Sequence, residues 1–362
     1  MQIQPLIDSQ SRILDGQPKT APIVITSRIR LARNLRDCPF PGWANPSQRR
    51  EILTRCRQAL EALPQMANAT FFEVDKLTEL ERQVLVERHL ASRELAQGQE
   101  GSGILISEDQ ATAVMINEED HLRIQMVRNG FLFKTLWSAI DRFDSSLEEH
   151  LDFAFSRELG YLTACPTNVG TGLRASVMLH LPGLVMANQM EKVIRAVNQL
   201  GIIVRGLFGE GSDASGSIFQ ISNQQTLGEP EEAIIRRLGN VLKTVIEQES
   251  NARSRLLEKE PIKVVDKIGR AYGILQNGHL LSSSEAMNFL SLLRLGVDIG
   301  LWEEHFRSDI DRLFVESQPG HVQLAAQNSL QSGARDRDRA RLLRGEFHDL
   351  PPSNFDKLSL PE

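Results

Sequence analysis

Hydrophobic positions in this chain follow two different periods. Short apolar, β-branched runs at Ile23–Thr26, Ile104–Ser107, Thr112–Ile116, Leu122–Met126, Ala175–Leu181, Ile202–Arg205 and Ser217–Ile221 have the length and residue types of strands. Helical spacing separates them. Asn45 can cap a helix with Pro46 at its first position and Gln48 completing a capping box, after which Ile52, Leu53, Cys56, Leu60 and Leu63 recur on one face. Thr78 with Glu81 predicts a second helix, Leu184–Leu200 a third that Gly201 ends, and Glu231–Glu249 a fourth. Beyond the charged stretch Glu249–Pro261 only helical signals remain: Val264–Leu275, Ser283–Leu295 behind a Ser282/Glu285 capping box, Trp302–Phe314 and Val322–Leu343. The pattern predicts an α+β domain over residues 1–255 and an all-helical C-terminal domain over 256–362.

A length of 362 residues with 41% hydrophobic and 24% charged residues suits two globular domains. No apolar run approaches the roughly 20 residues of a membrane helix, and the first residues carry no secretory core, so a cytoplasmic protein is expected. Cys38, Cys56 and Cys165 are scattered and odd in number, which excludes a disulfide scaffold and a structural zinc site. A net charge of −6 argues against direct binding of nucleic acid. Of 41 basic residues, 32 are arginine, so an anionic ligand would be gripped by bidentate guanidinium forks. A phosphate-binding P-loop is absent.

Four segments concentrate the chemistry. Thr26-Ser27-Arg28-Ile29-Arg30 puts two arginines on one face of a strand; a solvated, salt-bridged strand is the plain alternative. Asn117-Glu118-Glu119-Asp120-His121-Leu122-Arg123 places three successive acids between apolar strands. Cys165 to Ser176 is a turn rich in glycine and threonine that feeds a strand carrying Arg174, Ser176, Met178 and His180 on one face. Arg205 to Gly216 is a polar loop with Glu210 at its middle. Five arginines at strand ends and two loop carboxylates are what transfer of a terminal phosphoryl group needs where no P-loop lysine is available.

The segments TSRIR, NEEDHLRI, CPTNVGTGLRAS and RGLFGEGSDASG resemble, in order, the signature segments of the phosphagen (guanidino) kinase family. The resemblance implies an antiparallel sheet flanked by helices and an ATP-dependent phosphotransferase using Mg²⁺. By position it implies Arg28, Arg30, Arg123, Arg174 and Arg205 as the clamp on the nucleotide phosphates. Glu119 corresponds to the carboxylate that orients and deprotonates the acceptor guanidinium, Glu210 to its partner, Cys165 to a thiol beside the acceptor, and Glu118 to an acid meeting Mg²⁺ through water. Thr26, Ser27, Ser176, Met178, His180, Gly211 and Ser212 fall at nucleotide-site positions.

Departures from small-guanidine kinases set the branch. Arg28 lies near the amino terminus, Met178 stands where those enzymes commonly have histidine, Gln220 where they have aspartate, and the helical extension is foreign to them. These features resemble the bacterial protein-arginine kinases. That implies protein substrates with exposed arginines, and as partners a Clp-type protease and a heat-shock repressor, with a homodimer left open. In the extension, Arg335-Asp336-Arg337-Asp338-Arg339-Ala340-Arg341 reads most simply as a solvated charged helix. Yet Arg335 and Arg339 share a face beside Asp336, and RDxxRA resembles an element that reads phosphoarginine, which makes Arg335, Asp336, Arg339 and Ala340 an expected allosteric site. Rival readings are a kinase of free arginine or another small guanidine, and an idle phosphoarginine-binding adaptor.

Overall fold

The computed structural model describes residues 3–8, 22–206, 215–327 and 331–354. Its frame is an antiparallel sheet built from β1 (Val24–Arg33), β2 (Thr70–Glu73), β3 (Gly103–Ile106), β4 (Thr112–Ile116), β5 (Leu122–Asn129), β8 (Leu173–His180), β9 (Ile202–Gly206) and β10 (Ile218–Asn223). The strand order is β2-β3-β4-β5-β1-β8-β10-β9, and β6 (Phe155–Ser156) with β7 (Gly160–Tyr161) forms a separate small hairpin. β1 is central, although it is first in sequence. Its odd positions Ile29 and Leu31 are fully buried with Leu122, Ile124, Ala175, Val177 and Phe219 on the face covered by the helices Pro46–Glu61, Phe133–Glu148, Met190–Asn198 and Glu231–Lys259.

Only parts of the opposite face are covered. At the β2 end, Val84, Leu85 and Leu95 pack on Ile104, Ile106 and Met115, joined by Leu324 from the C-terminal part. At the other end, Ile218 with half-buried Met178 packs into the cluster of the helices Pro261–Asn277, Ser283–Asp298, Phe306–Glu316 and Ser332–Phe347. The coverings meet where Glu87 accepts hydrogen bonds from the amides of Gly320 (2.7 Å) and His321 (3.0 Å), the first turn of the helix Pro319–Ala325. Between them no described element covers the sheet.

All three expected capping boxes are present, at Asn45, Thr78 and Ser282. Three expected helices differ. Leu184–Leu200 is two helices, Pro182–Met186 and Met190–Asn198, because Asn188 takes a left-handed conformation (φ 54°) between them. Val322–Leu343 is likewise two, the first ending near Gln327 (φ 54°). The helix expected from Trp302 starts at Phe306, since Trp302 is drawn into the core, its ring against Gly296 and its indole N–H donating to the Pro351 carbonyl (2.8 Å). The helix Glu231–Lys259 runs unbroken past residue 255. β2 and the β6–β7 hairpin were not anticipated.

Candidate active site

Alternation along β1 turns Arg28 and Arg30 to the open face, and antiparallel register brings their counterparts alongside. Arg30 stands opposite Arg174, Arg28 opposite Ser176, Ala32 opposite Arg123, and Gln220 opposite both Met178 and Arg205. Like charges directly opposite across a strand pair destabilise a sheet, so Arg30 beside Arg174 does not serve the fold. Close contact of β1 with the chain entering β8 requires Gly172 (φ +63°), where a Cβ would lie 2.6 Å from the Ala32 carbonyl oxygen.

All five expected arginines, with Glu118 and Glu119, line one cleft of about 1250 Å³ on this face. Among the described residues, all but Arg123 lack an ion pair with an acid. Arg28 donates to Gln220 (2.7 Å) and to Ser176 (3.4 Å), and Arg174 reaches only Ser222, at 3.4 Å. Among the described residues, the buried Nε atoms of Arg30 and Arg174 have no partner. Burial, then the neighbouring guanidinium groups, pull Arg28 down to about 10, hold Arg30 well below its ordinary value and lower Arg174. Crowded cations with unused donors are a built demand for polyanionic charge.

Arg123 is engaged differently. Its Nη1 contacts both oxygens of Glu118 (2.6 and 2.7 Å), whose side chain is 1% exposed. Burial opposes both charges, but the pairing outweighs it and moves Glu118 down and Arg123 up. Glu119, one residue on, is exposed. Partial burial and then the charges of Asp120 and Glu118 raise its carboxyl above the usual carboxylate range, against a hydrogen bond from Cys165. Cys165 is half-buried, and its Sγ also meets Thr167 Oγ1 at 3.0 Å. The acid loop is fixed from below: Asn117 adopts φ 56° and donates to the carbonyls of Gly101 and Arg49, while Asp120 accepts from Asn34 (2.6 Å) and the Ala164 amide (2.7 Å). This holds Glu119 outward.

Other expected positions fall outside the cleft lining. Ser27 is fully buried, bonding Gly130 and the Leu132 amide. Thr26 shares the face of Arg28 without lining the cleft, and Met178 packs against the helical cluster. His180 is fully buried at the seam with the helices, its Nε2 bonded to Ser291 (2.8 Å) and its Nδ1 facing Arg294 (3.2 Å). Glu210, Gly211 and Ser212 lie outside the described residues. In the extension, Arg339 is 1% exposed and donates to the Ser317 and Leu281 carbonyls and to Asp336, each at 2.7 Å, while Ala340 is core and Arg335 half-buried. Sequence reasoning missed His89 and Gln318, which line the cleft from each covering. Neither stands in a patterned segment, so no local signal marks them.

Comparisons with known proteins agree with this geometry. The family described as ATP:guanido phosphotransferase, C-terminal catalytic domain, matches residues 51–252, and the protein-arginine kinase McsB C-terminal domain matches residues 261–358. A protein-arginine kinase of Brevibacillus brevis is 43% identical over 92% of this chain and 94% of its own; one of Halothermothrix orenii is 42% identical over 95% and 99%. The chain belongs to the protein-arginine kinase family. Among solved structures, a lombricine kinase is similar with a TM-score of 0.57 at 26% identity, covering 67% of this chain and 70% of its own. A duplicated taurocyamine kinase from Schistosoma mansoni, with bound transition state analog components, has the same TM-score at 27% identity, covering 67% of this chain and 36% of its own. This chain thus has the phosphagen-kinase sheet, and the catalytic-domain match spans the acid loop together with Arg123, Arg174 and Arg205.

Proposed function

We propose that this chain transfers the γ-phosphoryl group of ATP to arginine side chains of proteins, forming N-phosphoarginine. The observation that carries the reading is the pairing within one cleft of acid-free arginines with an outward carboxylate of raised pKa. A guanidinium has no free lone pair and must lose a proton before its nitrogen attacks phosphorus. Glu119 accepts that proton, with Glu210 as its partner and the Cys165 thiol beside the acceptor. Arg28, Arg30, Arg174 and Arg205 grip the phosphate oxygens, joined by Arg123. The N–P bond forms as the bond from the γ-phosphorus to the ADP oxygen breaks, and the arginines offset the charge that accumulates.

Mg²⁺ belongs to the substrate as MgATP. In this reading the cation is held mainly by phosphate oxygens and reached by Glu118 through water. Similarity to protein-arginine kinases supports a wider reading: a cytoplasmic enzyme of protein quality control that marks proteins for a Clp-type protease and acts on a heat-shock repressor. In that reading the segment carrying Arg335, Asp336, Arg339 and Ala340 takes phosphoarginine as an effector. No described helix is long and apolar enough to cross a membrane.

The test is incubation of the full chain with MgATP and either an unfolded protein or free arginine, followed by mass spectrometry at neutral pH because the N–P bond is acid-labile. Phosphoarginine on the protein is expected. Label on free arginine alone would convert the reading to a small-guanidine kinase, and label on neither would leave a binding protein.

A further inference from the structure

Trp43 is 90% exposed, whereas Trp302 is 5% exposed. An indole held that far into water is unusual, because large aromatics bury most of their area or mark a recognition surface. Its place in the fold gives it a purpose. The chain leaving β1 grips the acid loop at one end: Asn34 bonds Asp120 and the His121 amide, the Leu35 amide donates to His121 Nδ1 (2.9 Å), and His121 Nε2 donates to the Pro39 carbonyl (3.0 Å). The Phe40 ring then packs edge-on against His121, with centroids 6.0 Å apart. Six residues later begins the helix Pro46–Glu61, which holds the loop's other end, where Asn117 Nδ2 donates to the Arg49 carbonyl (2.8 Å).

Between these two anchors the chain makes a turn, with the amides of Trp43 (2.8 Å) and Ala44 (3.0 Å) donating to the Phe40 carbonyl. Trp43 is its projecting side chain, and Glu119 lies within the acid loop that the anchors bracket. On the other side of that loop, Leu162 and Ala164 bond Asn34 and Asp120, and Cys165 bonds Glu119. That segment leaves the β6–β7 hairpin, whose Phe155 and Leu159 are 49% and 47% exposed. Exposed apolar side chains therefore stand on the two segments that flank the proton-accepting carboxylate.

We propose that Trp43, with Phe155 and Leu159, is a docking surface for apolar side chains flanking the acceptor arginine in an extended polypeptide. The proposal rests on the protein-arginine reading and names the feature of the substrate that this rim selects. An arginine whose guanidinium reaches Glu119 keeps its own backbone outside the cleft, at the rim, because its stem is long and unbranched. In an extended chain, neighbours alternate sides at about 3.3 Å per residue, so residues flanking the arginine meet the rim directly. A folded protein keeps its apolar side chains buried and offers the rim nothing. Surface arginines of native proteins are thereby discriminated from arginines in unfolded segments.

The experiment uses the full chain, MgATP and two unstructured peptides that differ only around one arginine, flanked by leucine and phenylalanine in one and by serine and glycine in the other. Wild type should favour the apolar peptide in kcat/KM. Trp43→Ser should reduce that preference about tenfold, through KM, and Trp43→Phe should keep most of it. The preference is a ratio, so a disturbed acid loop that slows both peptides alike leaves it readable. Wild-type tryptophan emission should move to shorter wavelength when the apolar peptide binds without MgATP, and this shift should be missing in Trp43→Phe. Equal kcat/KM for the two peptides in wild type, or a preference untouched by Trp43→Ser, overturns the docking surface alone. Failure to phosphorylate either peptide overturns the kinase reading and the docking surface with it.

Discussion

Two groups of arginines in this molecule have opposite surroundings. In the cleft, Arg28, Arg30 and Arg174 crowd one another without a carboxylate among their hydrogen-bond partners. At the seam between sheet and helices, Arg294 is fully buried yet bonded to Asp311 (2.6 Å) and the Pro22 carbonyl (2.8 Å), and Asp298 also takes Arg253 and Arg307, each at 2.8 Å. Arg253 in turn binds Glu249, whose two oxygens hold the amides of Gly183 and Leu184. The side chain is the same, and the cleft arginines are half-buried where Arg294 is fully enclosed. Charge satisfied within the protein serves the fold, whereas charge left unsatisfied at a cost to the fold is held for a ligand. Substitutions in the two regions should therefore separate stability from activity.

The largest effect is expected at the carboxylate facing the cleft arginines. Glu119→Gln should lower kcat by about 10²–10⁴, since an amide cannot take the guanidinium proton. Stability should not fall. Because the folded pKa of Glu119 is raised, the stability it contributes is present at acid pH and lost as pH rises through that folded value, so removing its charge at neutral pH relieves the fold. Activity of the wild type should rise with pH along a limb above the usual carboxylate range. Measurement of kcat against pH checks both points, and near-wild-type turnover in the variant would remove Glu119 from the role of base.

Next in size is the seam. Arg294→Ala strands Asp311 and leaves Asp298 one cation short, which should cost about 3–5 kcal/mol in denaturant unfolding. In the cleft the sign reverses. Arg30→Gln should cost about 10²–10³ in kcat, the loss for one transition-state donor, while unfolding stability holds or increases because a like-charge neighbour of Arg174 and Arg28 is gone. Stability lost equally in both variants would erase the distinction between the two groups.

Much of this arrangement was legible before the fold was known, and the reasons are local. Arg28 and Arg30 are two apart in a strand, so a shared face follows from alternation alone, and the capping boxes at Asn45, Thr78 and Ser282 depend on three residues each. Pairing between distant strands was not legible: nothing near Arg30 says that Arg174 stands opposite. The 332–347 helix shows the same limit differently. Its charge pattern predicts a solvated surface, yet Arg339 is buried between the Ser317 and Leu281 carbonyls, because arginine donors can satisfy backbone oxygens that local sequence does not reveal. His180 stands on the strand face read as nucleotide-facing, but the helices cover that end of the sheet, a tertiary fact.

His180 provides the last and smallest test of the contrast. It is enclosed with Ser291 and Arg294, and burial first, then the charges of Arg294 and Arg253, hold its pKa well below the ordinary value. Its Nδ1 lone pair faces the Arg294 guanidinium, so the proton of the neutral ring sits on Nε2 and is donated to Ser291. A depressed folded pKa means that stability is intact above the unfolded value near 6.5 and is lost as pH falls, because only the unfolded chain takes up the proton. One such proton costs about 1.4 kcal/mol per pH unit below that value until the folded group also titrates. His180→Gln should therefore flatten the unfolding free energy between pH 6.5 and 5 by about 2 kcal/mol relative to wild type, measured by urea titration at each pH. The substitution should not change the pH limb assigned to Glu119, since His180 lies outside the cleft lining. Parallel stability curves for variant and wild type would place the acid sensitivity elsewhere and leave the Arg294 seam indifferent to His180.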